Sequence, residues 1–147
     1  MRTGLKIPQE GVYSPLVTVF KDSEERDCVD LKTPWTAAFI AVPGLKYPSV
    51  NSQKKVCLRD INLMREKLEL IFQVGKRYEH DSLVLGPIGC GVWRSPPQHI
   101  AEIMYEVCNT YKGVFKHITI ACLACMSAAN NSNYTIFRDV FYGTDAS

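Results

Sequence analysis

Four residues of strand character, Ser82-Leu83-Val84-Leu85, run straight into Gly86-Pro87-Ile88-Gly89-Cys90-Gly91-Val92-Trp93. A helix-start pattern follows, with Ser95 as N-cap, prolines in the first turn and Gln98 three residues after the serine. Strand, glycine-rich turn and helix in that order restrict the chain to α/β architectures with parallel pairings. Glycines at 86, 89 and 91 let the backbone take positive φ and approach a ligand closely. Successive N–H groups in such a loop form an anion-binding concavity, and the helix start adds the positive end of its dipole. A loop after a strand end is also where open α/β sheets bind ligands. The spacing Gly-x-x-Gly-x-Gly is neither the dinucleotide fingerprint nor a Walker loop, since no Gly-Lys-Ser/Thr follows. A glycine-rich turn after a strand also serves as a simple tight turn. Trp93 adds an aromatic surface that can pack on a sugar face, although core packing is the default use of a tryptophan.

The rest of the chain supplies elements to surround that loop. Residues 1–11 are an irregular lead-in. Residues 12–20 alternate as a strand, with Pro15 tolerated near its start or at an edge. The charged stretch 22–30 is a loop, and 36–42 is a short buried strand stopped by Pro43-Gly44. After a second loop at 47–55, Ile61, Met64, Leu68, Ile71 and Phe72 recur at three- and four-residue steps. That stripe predicts a helix over 58–78, with Arg65 and Glu69 one turn apart and able to pair on its wet face. Ile100, Ile103, Met104, Val107, Cys108 and Tyr111 trace a second helix, ended by Gly113. Residues 114–123 form another strand, and Asn131-Ser132 caps a last helix with Tyr134, Phe137 and Phe141 near one face. The expected fold is a reduced α/β sandwich: a mixed sheet of about four to five strands flanked by about three helices, in one domain over residues 1–147.

A chain of 147 residues with 46% hydrophobic and 22% charged residues buries a core without disulfides. Its six cysteines, Cys28, Cys57, Cys90, Cys108, Cys122 and Cys125, are therefore read as buried free thiols. Cys122-Leu123-Ala124-Cys125 has zinc-like spacing but lacks a second Cys or His pair, so no metal and no cofactor is expected. A net charge of +2, dispersed along the chain, argues against nucleic acid as a partner. No apolar run reaches membrane-spanning length, and the first residues lack the apolar core of a signal peptide. The expected compartment is cytosol or nucleus, without membrane association.

The loop, as Leu83-Val84-Leu85-Gly86-Pro87-Ile88-Gly89-Cys90-Gly91-Val92-Trp93, resembles the phosphate loop of the microbial-type poly(ADP-ribose) glycohydrolases, a macrodomain family. That family's version reads Leu-Val-Leu-Gly-x-x-Gly-Cys-Gly-x-aromatic, then proline and a helix; Pro96 or Pro97 matches the proline. Tyr13-Ser14-Pro15, running to Phe20-Lys21-Asp22, is similar to a family strand that begins Tyr-Ser-Pro and ends Phe-Arg-Asp. Asn133 and Phe137 resemble its closing Asn-x-x-x-Phe. The resemblance implies that residues 86–91 wrap the diphosphate of ADP-ribose. It places Trp93 beside the ribose distal to adenine and makes Asn133 and Phe137 shape the same pocket. The ligand-binding set is thus Gly86, Pro87, Ile88, Gly89, Cys90, Gly91, Val92, Trp93, Asn133 and Phe137, with ADP-ribose or an ADP-ribosylated protein as partner.

The family's catalytic signature, three glycines followed by Gln-Glu-Glu, precedes its Tyr-Ser-Pro strand and supplies the carboxyl group for glycosidic cleavage. The twelve residues before Tyr13 hold no glycine run. Gln9-Glu10 stands too close to Tyr13, and Glu24-Glu25 follows the strand within a charge run that reads as a solvated loop. Cys90 is a nucleophile only in principle, through a helix dipole that lowers its pKa; the family match makes it a small loop residue. The expectation is an ADP-ribose binder without turnover. The alternatives are an active glycohydrolase with a non-standard or partner-supplied carboxylate, and a degenerate macrodomain kept for self-association. A small sheet leaves unpaired edges, so a homodimer is expected, with Phe20, Trp35 and Phe39 as candidate apolar contributors.

Overall fold

The computed structural model describes residues 11–52, 55–123 and 133–143. Among them are strands β1 (Val12–Lys21), β2 (Asp30–Ala41), β3 (Ser82–Leu85) and β4 (His117–Ile120), and helices α1 (Leu58–Arg77), α2 (Pro97–Thr110) and α3 (Asn133–Tyr142). The chain forms two compact units, divided between Val42 and Pro43. The α/β class and the three helices match the sequence pattern. The four strands pair as two two-stranded sheets, β1 with β2 and β3 with β4.

The first unit is an antiparallel hairpin whose register runs from Val12↔Ala41 to Lys21↔Asp30. Register shifts fall between Ser14 and Val17 and between Val19 and Lys21. The first spans Pro15, which has no N–H to give to a ladder and is accommodated at irregularities of this kind. β2 begins six residues before the expected start at 36. Asp30, Lys32, Thr33 and Pro34 carry little strand signal of their own; pairing with β1 recruits them. The charge run closes the hairpin through a 3-10 turn at Glu24–Arg26, with Asp22 N–H donating to Val29 O at 2.9 Å. Glu24 and Glu25 are exposed there, a solvated tip as expected. Gln9-Glu10 lies outside the described residues.

The second unit holds the buried core. α1 packs Met64, Leu68, Ile71 and Phe72 inward, the stripe set by their spacing. Arg65 pairs with Glu106 of α2, rather than with Glu69 on its own helix as expected. That pair joins neighbouring helices, which local spacing alone does not reveal. α2 buries Ile100, Ala101, Ile103, Met104 and Val107. Phe72 stacks at 5.0 Å from Tyr111 and meets Phe115 edge-on at 5.7 Å. β3 and β4 run parallel, Ser82↔His117 to Leu85↔Ile120, with α2 as the crossover between them. β4 is shorter than the expected 114–123 because its partner offers only four residues to pair with. Leu83 and Leu85 point into the core, while Val84, on the opposite face, is 74% exposed. Asn131-Ser132, expected to cap α3, lies outside the described residues.

Candidate functional site

The loop leaves the carboxyl end of β3 and is folded by two turns. Cys90 N–H donates to Pro87 O at 3.1 Å, and Arg94 N–H to Gly91 O at 3.0 Å. Gly89 is the third residue of the first turn and has φ +78°, the left-handed conformation that a type II turn requires there. Ser95 N–H donates to Gly89 O at 2.9 Å and closes the loop on itself. A Cβ on Gly89 would lie 2.6 Å from Ser95 Oγ, so the chain's own packing demands glycine at this position.

Gly86 and Gly91 differ from that expectation of positive φ. Neither is in the left-handed region, and a Cβ on either would meet nothing within 4 Å. Both face open space. The N–H groups of Ile88, Gly89, Gly91, Val92 and Trp93 donate to no backbone carbonyl among the described residues. Successive backbone amides beside side-chain-free backbone are the elements from which an anion-binding concavity is built. The start of α2 adds less than expected. Its N-cap is Pro96 and its first residue Pro97, so two backbone donors are missing. Ser95 is not the N-cap; it is buried, and its hydroxyl donates to Leu45 O at 3.2 Å. The serine therefore ties the loop to a neighbouring segment instead of serving the helix.

That segment, residues 43–48, was not foreseen as part of the site; its one signal is the Pro43-Gly44 pair, which reads equally as a strand stop. It runs along the loop. A Cβ on Gly44 would lie 3.0 Å from Ile88 Cγ2 and 3.1 Å from the Gly89 backbone. Further on, Tyr47 N–H donates to Trp93 O at 2.9 Å. Tyr47 and Arg94, on either side of that bond, both have positive φ, at 51° and 55°. Trp93 is 37% exposed and so is not consumed by the core.

The surroundings of Cys90 hold its thiol protonated. Burial pushes its thiol up to about 12, with the neighbouring Cys122 adding to the effect. Burial likewise raises Cys122, and Cys108 to about 11. No group of three or more potential metal ligands occurs among the described residues, and Cys125 lies outside them. His99 accepts the Val56 N–H at 3.4 Å, and His117 opens β4 at the surface. Asn133 begins α3 half-buried, and Phe137 is 2% exposed. Phe137 lines a groove of about 430 Å³ with Cys108, Ile118, Ile120, Cys122 and Phe141, and no residue of the loop 86–93 lines it. Residues 86–93 lie in one continuous loop after β3, and Phe137 lines the groove beside Cys122, the neighbour of Cys90.

Parallel strands joined through a glycine loop and a crossover helix define a macrodomain-like α/β fold with the loop at the strand ends. No protein-family model and no curated protein matches the chain. Among solved structures it is similar to the poly(ADP-ribose) glycohydrolase of Deinococcus radiodurans in complex with ADP-ribose. That match has 26% identity and a TM-score of 0.75, over 88% of this chain and 51% of that one. Another crystal form of the same complex gives a TM-score of 0.77 at 26% identity, over 91% and 52%. The poly(ADP-ribose) glycohydrolase of Thermomonospora curvata shares the fold, with a TM-score of 0.76 at 24% identity, over 89% and 47%. The chain is thus poly(ADP-ribose) glycohydrolase-like, and it spans about half the length of those structures.

Proposed function

We propose that the chain binds an ADP-ribosyl nucleotide, free or on a protein, at residues 86–93 without turning it over. The observation that carries this reading is the open space at Gly86 and Gly91 beside amide donors that have no carbonyl partner among the described residues. Loop packing explains the glycine at 89 but not those at 86 and 91; close approach of a diphosphate to the backbone does. Trp93 stands at the end of the loop, where a ribose following the diphosphate would stack on it. The similar enzyme from Deinococcus radiodurans was solved with ADP-ribose, which supports this ligand class. Glycosidic cleavage needs a carboxyl group at the scissile bond. The two segments that build this site, residues 43–49 and 82–99, contain no Asp or Glu. In this proposal residues 1–147 act as one functional module, and the β1–β2 hairpin pairs with a second copy.

The test is calorimetric titration with ADP-ribose of the parent and of Gly86→Val. The parent is expected to bind, and the variant to lose at least about tenfold in affinity, because its side chain enters the cradle and meets nothing of the protein. Equal binding by the two, or no binding by the parent, overturns the reading. Release of ADP-ribose from poly(ADP-ribose) by the chain would show turnover and refute that part alone.

A further inference from the structure

We infer that the outer edge of β4, together with the face of α3 that overhangs it, is a docking slot for one extended, aliphatic strand of a partner polypeptide.

Hydrogen bonding fixes which way β4 turns its backbone. His117 N–H and Ala121 N–H donate to Asp81 O and Leu85 O, at 3.4 and 2.8 Å. Residues two apart on a strand turn their N–H and C=O groups to the same side. Those of His117, Thr119 and Ala121 therefore face β3, and those of Ile118 and Ile120 face away from it. No strand pairs with that outer side among the described residues.

The groove of about 430 Å³ lies along this edge. Ile118, Thr119 and Ile120 line it without a gap, although successive side chains of a strand point to opposite faces. A hollow over one face of the sheet would meet only alternate residues. The opposite wall is α3, through Tyr134, Phe137, Arg138, Phe141 and Tyr142. Their spacing of i, i+3, i+4, i+7 and i+8 is one stripe of a helix. Phe137 in that stripe is buried, whereas Tyr134 and Tyr142 are exposed. An apolar helix stripe packs on a sheet, and this sheet stops at β4. One further strand would pair with the Ile118 and Ile120 backbone groups and lie beneath the stripe.

That geometry selects a strand as the occupant. A small molecule cannot match the alternating donors and acceptors of an edge, and a helix spends its own backbone groups internally. Main-chain hydrogen bonds along an exposed edge supply affinity, and alternate side chains supply specificity. β4 has four residues, so four residues of the partner in register suffice. Side chains turned towards α3 meet Phe137, Phe141 and the Cys108 thiol, which calls for aliphatic residues. The lining contains one basic residue and no acidic one. Arg138 gives Nε and Nη2 to Asp139 Oδ1, at 2.9 and 2.7 Å, which leaves Nη1 for another acceptor. A carboxylate on the docked strand complements it.

The experiment is amide hydrogen exchange followed by NMR on the full chain, with and without a probe peptide that alternates valine and threonine around a central aspartate. In the chain alone, the Ile118 and Ile120 amides are expected to exchange much faster than those of Thr119 and Ala121, which β3 holds. Saturating peptide is expected to slow Ile118 and Ile120 at least about tenfold. The same peptide N-methylated at alternate residues is expected to give no protection, because it cannot pair. Lysine in place of the aspartate is expected to weaken binding about tenfold, the effect of one charge-assisted contact. Slow exchange of all four amides in the chain alone, unchanged on dilution, shows the edge already filled and overturns the slot. Protection that grows with the concentration of the chain gives the edge to a second copy and overturns the partner strand. No protection by the peptide, or equal protection by its N-methylated form, overturns the proposal as well. Equal binding of the lysine peptide overturns the preference for an acidic strand alone.

Discussion

Two glycines three residues apart in one loop do opposite work, and substitutions separate them. Gly89 is held by the protein itself, through φ +78° and the 2.6 Å approach of Ser95 Oγ. Gly89→Val is therefore expected to destabilise the fold by about 1–3 kcal/mol, a loss of affinity that says nothing about a ligand. Gly86→Val is expected to leave stability unchanged and to lower ADP-ribose affinity at least about tenfold. Thermal melts of both variants check this contrast; a melting point lowered equally in each would remove it. The cysteines make a parallel case. At pH 8, Cys28 and Cys57 are exposed, not buried as expected, and open to alkylation, while Cys90 and Cys108, pushed to about 12 and about 11 by burial, stay protonated and shielded. Their contribution to stability is fully present below the ordinary thiol value of 9.0 and is lost progressively as pH rises towards 11 and 12. Mass spectrometry after brief iodoacetamide treatment reads the pattern. Native-state labelling of Cys90 at the rate of Cys28 would contradict it.

At the scale of elements, what could be read from the sequence depended on whether the signal was local. β3 and α1 stand within a residue of their expected bounds, because alternation and the Met64–Leu68–Ile71 stripe are properties of the segments themselves. The early part of β2 was not legible, since only β1 across the hairpin makes residues 30–35 a strand. The same holds for the site. The glycine loop was plain as a motif, but Ser95 tying it to Leu45, and residues 43–48 running beside it, are long-range contacts without a local pattern. Gly75 is a further hidden case. It sits in the last turn of α1, where alanine would gain up to about 1 kcal/mol in helix propensity. Its missing Cβ, however, would lie 3.1 Å from both Leu83 Cδ2 and the Phe115 ring. Gly75→Ala is thus expected to lose about 1–3 kcal/mol on balance, as overpacking between helix and strand outweighs propensity. Urea denaturation decides it, and a stabilised variant would show that Leu83 and Phe115 give way freely.

At the scale of the whole molecule, the question is what the β1–β2 hairpin does with its apolar side chains. None of residues 11–42 is buried. Phe20, Trp35 and Phe39 are 56%, 53% and 49% exposed. An isolated two-stranded ribbon is marginal in water, and both outer edges of this one lack a strand partner among the described residues. Unpaired edges with adjacent aromatics invite another strand. A second copy offers an identical edge, and a two-fold axis lets each satisfy the other without leaving an open interface to propagate. The expected state at micromolar concentration is a dimer, with a mass near twice 16.6 kDa by sedimentation equilibrium. Trp35→Lys places two cations near the axis and removes two indoles from the interface, so it is expected to shift the equilibrium to monomer. A parent that sediments as a monomer across the range rules out pairing through the hairpin. A dimer unaffected by Trp35→Lys moves the interface elsewhere.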